Sequence, residues 1–322
     1  MSEIIGLVTK EEVRPNNGNA FYQFILKSES EVVKVCIWDL DKFDNALLPK
    51  KGDLIKLDLD KCKDQRTTKY NNIGASVDSF AIIKKEDNKD LVQKLREPLA
   101  VSQEDLQKAY KTITDKTIYK NIQVFEFVMN CLASLPKEKF LVCPAAKGVH
   151  HSLSGGLMTH TAEVLSICKG VVACFPYPAF IDSDLIFASA VLHDLGKVQT
   201  YHIDDLGEPA SHVEEYSVGH AYYSLSLVEK ISKNSKLDPE FISELMHSIA
   251  AHHGHPDFGA IKAAKTLEAL ILHQADNLSA KCGLIENKLK NIKESKGEVK
   301  DRYFWLDEDF ITTRRMRAFI NG

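Results

Sequence analysis

The apolar positions of this 322-residue chain follow two different periods. Up to about residue 85 they fall in short runs rich in β-branched and aromatic residues, with polar residues alternating between them, the pattern of half-buried strands. Five strands are predicted: Ile4 to Val8, Phe21 to Lys27, Glu31 to Leu40, Leu54 to Leu59 and Ala75 to Ile83. Alternation puts Val33, Val35 and Ile37 on one face of the third, and Ile55, Leu57 and Leu59 on one face of the fourth. Pro15-Asn16-Asn17-Gly18 and Lys51-Gly52-Asp53 are turn signals, and Asp41 to Leu48 suits a short helix. Five strands with a helix after the third suit a small OB-type β-barrel, with an SH3-like barrel as the alternative.

A charged stretch, Lys84-Lys85-Glu86-Asp87-Asn88-Lys89-Asp90, ends that pattern, and helical spacing follows. Ile118, Ile122, Phe125, Met129 and Leu132 recur three or four residues apart. Helices are predicted at 115–133, 157–175, 183–195, 213–232, 239–253 and 265–292, with no strand among them. Ser102 with Asp105 resembles a capping box, and Asp182 and Asp238 can cap helix starts. The organisation implied is a multidomain β-then-α chain. A strand domain occupies 1–85, a linker with a connecting helix 86–114, an all-α bundle 115–300, and a tail 301–322.

Composition narrows the class. An apolar share of 44% with 27% charged residues belongs to a folded chain, and a net charge of -4 excludes a uniformly basic coat, so any nucleic-acid site must be local. Seven cysteines, an odd number without a C-x-x-C pair, lie mostly in apolar periodic segments and read as reduced, buried thiols. The N-terminus lacks a basic leader, and no later run approaches a membrane-spanning length. A cytoplasmic location without membrane contact is expected.

The chemistry concentrates where Ala188-Ser189-Ala190-Val191-Leu192 runs into His193-Asp194-Leu195-Gly196-Lys197. Burying each polar group at such a helix end costs on the order of a few kcal/mol unless something binds it. A metal ion would bind both the imidazole and the carboxylate. All 12 histidines lie between positions 150 and 273, several beside small residues at or near predicted helix ends. In chain order the candidate ligands are His160, His193 with Asp194, His220, His252 with His253, and Asp276. A backbone carbonyl or water satisfies any one such histidine as readily, so the clustering carries the argument. Imidazole mixed with carboxylate suits Mn, Fe, Co, Ni or Zn, where an all-oxygen shell would suit Mg or Ca. His202, His212, His247, His255 and His273 read as non-ligands, although His273 stands one helical turn before Asp276. Lys197, three residues after Asp194, suits either a contact to a phosphate oxygen or a charge opposing the helix dipole.

The series His160, His193-Asp194, Asp276 resembles the H…HD…D signature of HD-domain metal-dependent phosphohydrolases. His220 and His252-His253 resemble the subset that binds more than one metal. With an OB-like domain in front, and with His150-His151, Gly155-Gly156, His193 to Lys197 and Ala251-His252-His253-Gly254, the chain from about residue 1 to 290 resembles the YhaM-type 3′-to-5′ exoribonucleases. That resemblance implies two metal ions, manganese foremost, with Asp194 bridging them. It assigns His160, His193 and Asp276 to the first ion and His220, His252 and His253 to the second. It also implies that His150 or His151 faces the substrate phosphate or protonates the leaving group, so the catalytic candidates are Asp194, Lys197 and His151. A purely structural role for the two histidines stays open.

In an OB-fold the hairpin from Lys61 to Asn72 flanks the oligonucleotide face, and here it carries four cations against one acid. Lys63, Arg66 and Lys69 are candidates for phosphate contacts, and Tyr70, Trp38, Tyr22 or Phe24 for base stacking. Solubility and core packing account for the same residues equally well. The tail, with Phe304, Trp305 and Phe310 among arginines, suits docking onto the bundle, with RNA or oligomer contact as alternatives. The function implied is a metal-dependent 3′-5′ exoribonuclease acting on single-stranded RNA, with single-stranded DNA as a further substrate and self-association left open. The alternatives are a nucleotide or cyclic-nucleotide phosphohydrolase of HD type, and a non-catalytic nucleic-acid-binding protein with a structural metal.

Overall fold

The computed structural model describes residues 3–16, 19–40, 47–65, 72–98, 100–147, 151–294 and 312–321. These form two units, one of residues 1–98, 205–207 and 285–322, the other of residues 99–204 and 208–284.

The first unit is a curled β-sheet of OB type. Its strands are β1 (Glu3–Asn16), β2 (Asn19–Ser28), β3 (Val32–Ile37), β4 (Leu54–Asp58), β5 (Lys63–Asp64), β6 (Ile73–Gly74) and β7 (Phe80–Ile83), in the order β5-β6-β3-β2-β1-β4-β7. Neighbours are antiparallel except β3 and β6, which pair in parallel. β1 runs well past the predicted Val8, because a bulge between Val8 and Lys10 lets its polar second half continue pairing with β2. That half lacks apolar residues at alternate positions, so only the turn signal after it marks the hairpin. Of the fifth predicted strand, Ala75 to Ile83, only Phe80–Ile83 is a strand, β7; a 3-10 turn at Val77–Ser79 precedes it, and β6 lies before the predicted start. Of the short helix expected at 41–48, residues 41–46 lie outside the described residues.

Val33, Val35, Ile37, Ile55 and Leu57 share one buried face, as their alternation predicts. Tyr22 and Phe24 join that core, and their burial corrects the expectation that they could stack bases. Leu7 and Leu54 point to the other face, where Val92 and Leu95 of helix α1 (Lys89–Arg96) and Leu206 cover them. The stretch expected as a linker therefore opens with an amphipathic helix that seals the sheet.

The second unit is helical. Its helices are α2 (Gln103–Ile113), α3 (Ile122–Ala133), α4 (Lys137–Val142), α5 (Gly156–Cys174), α6 (Ser183–Leu192), α7 (Lys197–Thr200), α8 (Val213–Ser217), α9 (His220–Ser232) and α10 (Pro239–Ala250). α11 (Leu267–Glu294) begins here and runs into the residues of the first unit, which also hold α12 (Arg314–Asn321). A two-stranded hairpin, β8 (Tyr201–Ile203) and β9 (Pro209–Ser211), interrupts the helices where no strand was predicted. Three-residue strands are too short to show a period.

Ser102, Asp182 and Asp238 cap α2, α6 and α10 through side-chain acceptors. Every residue of α6 is buried, which identifies it as the central helix rather than an amphipathic surface one. α5 is long and apolar enough to cross a membrane by length and composition, contrary to the reading that no run approaches that length. Here it buries Leu157, Met158, Val164, Leu165 and Cys168 in the helical core. The cysteines are free, but Cys174 and Cys282 are exposed, not buried as expected.

Asp184, in the first turn of α6, accepts the Lys120 N–H at 2.9 Å and the Asn121 N–H at 2.7 Å, fixing the entry of α3. Asp184→Ala should cost about 3 kcal/mol, because hydrogen bonds to a charged carboxylate are worth about 1.5–3 kcal/mol each, less what water restores to the exposed Lys120 and Asn121. The urea midpoint should fall with the slope unchanged.

Candidate metal centre

Periodicity predicts unbroken helix through residues 195, 232 and 253, and the structure breaks each one at a histidine. α6 stops at Leu192 with His193 as its C-cap. Gly219, at φ +82°, ends α8 and places His220 at the first position of α9. α10 stops at Ala250, just before His252 and His253. His160 and Asp276 lie inside α5 and α11. A Cβ on Gly196 would stand 2.0 Å from the His220 carbonyl oxygen, so only glycine lets this turn press against the start of α9. Its N–H donates to Ser224 Oγ at 2.8 Å.

The side chains converge on one carboxylate. Asp194 is 1% exposed, and its Oδ2 lies 3.4 Å from His160 Nε2, 3.4 Å from His193 Nε2 and 2.7 Å from Lys197 Nζ. Its Oδ1 lies 3.3 Å from His220 Nε2 and 3.6 Å from His252 Nε2. Asp276 Oδ1 is 3.1 Å from His160 Nε2.

Hydrogen bonds on the far side of each ring set its tautomer. His193 Nδ1 donates to the Ala190 carbonyl at 2.9 Å, His252 Nδ1 to the Ile249 carbonyl at 2.6 Å, and His220 Nδ1 to Glu215 Oε1 at 2.8 Å. Protons at those three nitrogens leave Nε2 as a lone pair. The Nε2 atoms of His193, His220 and His252 make no hydrogen bond, and neither does Asp194 Oδ1. Lone pairs aimed at a carboxylate from 3.3–3.6 Å repel it unless a cation lies between them. The donor set therefore fits divalent transition metals. Ligand atoms of His160, His193 and Asp194 lie within 4.8 Å of one another, and so do those of His220, His252 and His253.

Electrostatics point the same way. Burial would raise the pKa of Asp194, but the Lys197 ammonium beside it outweighs this and the carboxyl is held well below the usual range. Asp276 is likewise lowered, its burial outweighed by His160. Burial pulls His160 down, and the carboxylates of Asp194 and Asp276 lift it further, to about 9. Burial with His253 and His193 beside it keeps His252 well below its ordinary value. Burial lowers Lys197, but Asp194 prevails and keeps it charged.

Around the centre, His160 Nδ1 faces Ser279 Oγ at 3.0 Å, and that hydroxyl donates to Glu163 Oε2 at 2.9 Å. Glu163, Ser279 and Glu215 were absent from the sequence-based set. Two of them carry a legible signal, since Glu163 and Ser279 each stand three residues after a candidate ligand on the same helix face. His273 is oriented away from the ligand cluster, its Nδ1 donating to the His252 carbonyl at 2.8 Å. His253 joins through its ring, centred 4.1 Å from that of His252. His151, with φ +52°, is held by Glu163 at 2.9 Å, and its ring centre is 5.6 Å from that of His160. His150 lies outside the described residues, as do Arg66, Lys69 and Tyr70. Lys63 is exposed on β5, and Trp38 lies against Phe21 with ring centres 4.6 Å apart.

Residues 157–281 match the HD domain family. The chain is 28% identical over 296 residues to the 3′-5′ exoribonuclease YhaM of Bacillus licheniformis, covering 91% of this chain and 88% of the relative. The YhaM of Bacillus subtilis is 26% identical over 297 residues, and that of Listeria monocytogenes 26% over 308 residues, covering 94% of this chain and 91% of the relative. Residues 157–281 are thus HD-like, and the chain is similar to YhaM exoribonucleases over about nine-tenths of its length. It is an enzyme, a hydrolase, with an OB-like sheet followed by HD-domain helices. No solved structure matches it.

The lifted His160 gives a pH signature for the protein without metal. A group raised from 6.5 unfolded to about 9 folded contributes stability that is complete below the unfolded value and lost as pH rises through the folded one. In chelator, the melting temperature should fall as pH is raised from about 6.5 to 9 and beyond. His160→Gln should flatten that slope. Saturating manganese should flatten it too, since ligation needs the imidazole without that proton.

Proposed function

We propose that this chain is a metal-dependent 3′-5′ exoribonuclease that hydrolyses phosphodiester bonds of single-stranded RNA, with single-stranded DNA as a further substrate. The observation that carries the reading is the convergence of four imidazole Nε2 atoms on the buried Asp194, in a chain similar to YhaM enzymes over nine-tenths of its length. His160, His193 and Asp276 would hold one ion and His220, His252 and His253 a second, with Asp194 shared. Bound there, manganese or a similar divalent ion would lower the pKa of water and neutralise charge on the phosphodiester oxygens.

The chain's own residues supply the rest. Lys197 balances Asp194 and presents a buried ammonium to an incoming phosphate oxygen. His151, anchored by Glu163, faces the phosphate or passes a proton to the leaving oxygen. Residues 1–85 capture the strand, with Lys63, Arg66 and Lys69 along its phosphates and Trp38 and Tyr70 against its bases. Residues 115–300 cut it, 86–114 connect the two, and 301–322 form an accessory tail. Free thiols suit the reducing cytoplasm as its place of action.

RNA labelled at its 5′ end, incubated with protein and manganese, should give a ladder of shortening products. EDTA and Asp194→Ala should each abolish the ladder. Intact RNA in the complete reaction rules this reading out.

A further inference from the structure

Two segments flank the metal centre and touch each other outside it. One comprises the described loop residues 145–147 and His151, joined by the Ala145 N–H donating to the His151 carbonyl at 3.0 Å and tied to Glu163 through the His151 ring. The other is α8, whose Glu215 orients His220. Lys147 of the loop hydrogen-bonds the Tyr216 hydroxyl of α8, and its ammonium lies 4.5 Å from the centre of the Tyr216 ring.

Tyr216 is 73% exposed, so its ring contributes almost nothing to the core. Lys147 is exposed as well. The fold thus holds a flat aromatic surface and a cation together in water, one residue from the group that fixes a candidate ligand. A nucleotide presents the complementary pair, a flat base joined to an anionic phosphate.

We propose that Tyr216 and Lys147 form a nucleotide subsite for the strand entering the centre, the base stacking on the Tyr216 ring and a phosphate pairing with the Lys147 ammonium. This rests on the exoribonuclease reading for its substrate. The subsite acts in binding, and no bond is made or broken there.

The test compares kcat/KM on a short unstructured oligoribonucleotide with kcat/KM on bis(p-nitrophenyl) phosphate, a diester without a base. Base stacking on an aromatic side chain is worth about tenfold or more in binding. Tyr216→Ala should lower the ratio of the two values about tenfold, mainly through KM on RNA, while Tyr216→Phe should retain most of it. Lys147→Met should lower the ratio as well and weaken the salt dependence of KM on RNA. A wild-type ratio in Tyr216→Ala overturns the proposal, as does an equal loss in Tyr216→Phe, which would trace the effect to the hydroxyl that anchors the loop. If the wild-type enzyme cleaves the diester and leaves RNA intact, the exoribonuclease reading fails. The subsite is then decided by the dissociation constant of the same RNA, labelled with a fluorophore. Weakening in Tyr216→Ala but not in Tyr216→Phe upholds it, and equal affinity removes it.

Discussion

A single buried carboxylate imposes the main constraint on the helical unit. Asp194 has been taken out of water among four imidazoles, and an ion stripped of its hydration is destabilising by several kcal/mol unless charge and hydrogen bonds replace that hydration. Lys197 provides one replacement at 2.7 Å. The imidazoles of His193, His220 and His252 do not provide another, because their protons are committed to Ala190, Glu215 and Ile249 on the far side. Three helix ends hold lone pairs toward a charge of the same sign, and a bound cation is what turns that repulsion into attraction. The helix breaks at His193, His220 and His252, the close approach at Gly196 and the Ser279–Glu163 relay all serve this one arrangement.

The ligand series was legible in the sequence because its members are chemically rare within apolar helical runs. A histidine followed by an aspartate at the end of an uninterrupted apolar segment has no place in a core without a partner, and every candidate from His160 to Asp276 lies in the helical unit. What periodicity could not show was where the helices stop. An apolar stripe continues smoothly across Leu192 and Ser217, while termination depends on backbone contacts such as that of Gly196 with His220. Glu215 was hidden for a related reason. It accepts a hydrogen bond from the His220 ring, and an acidic residue on a helix has many ordinary uses.

The sheet shows the complementary limits of pattern reading. Alternation identified the buried faces of β3 and β4 correctly because core packing enforces a period of two. It missed the polar half of β1, where the hairpin partner rather than the core stabilises the strand. It also left Tyr22 and Phe24 ambiguous, since an aromatic strand residue looks the same from sequence whether it faces the core or a ligand. Burial assigns both to the core, and the Tyr22 hydroxyl explains its polar end by bonding Glu11 at 2.5 Å.

Charge balance links the centre to its substrate. Asp194 and Asp276 sit inside it, with Glu163 and Glu215 immediately behind, against the one ammonium of Lys197. Without metal the excess is negative, and a phosphodiester would be repelled. A divalent cation held among these groups would offset that excess, so residues that repel a nucleic-acid backbone without metal would repel it less with metal bound. The carboxylate behind His220 and the Ser279–Glu163 pair behind His160 strengthen those imidazoles as ligands for such a cation.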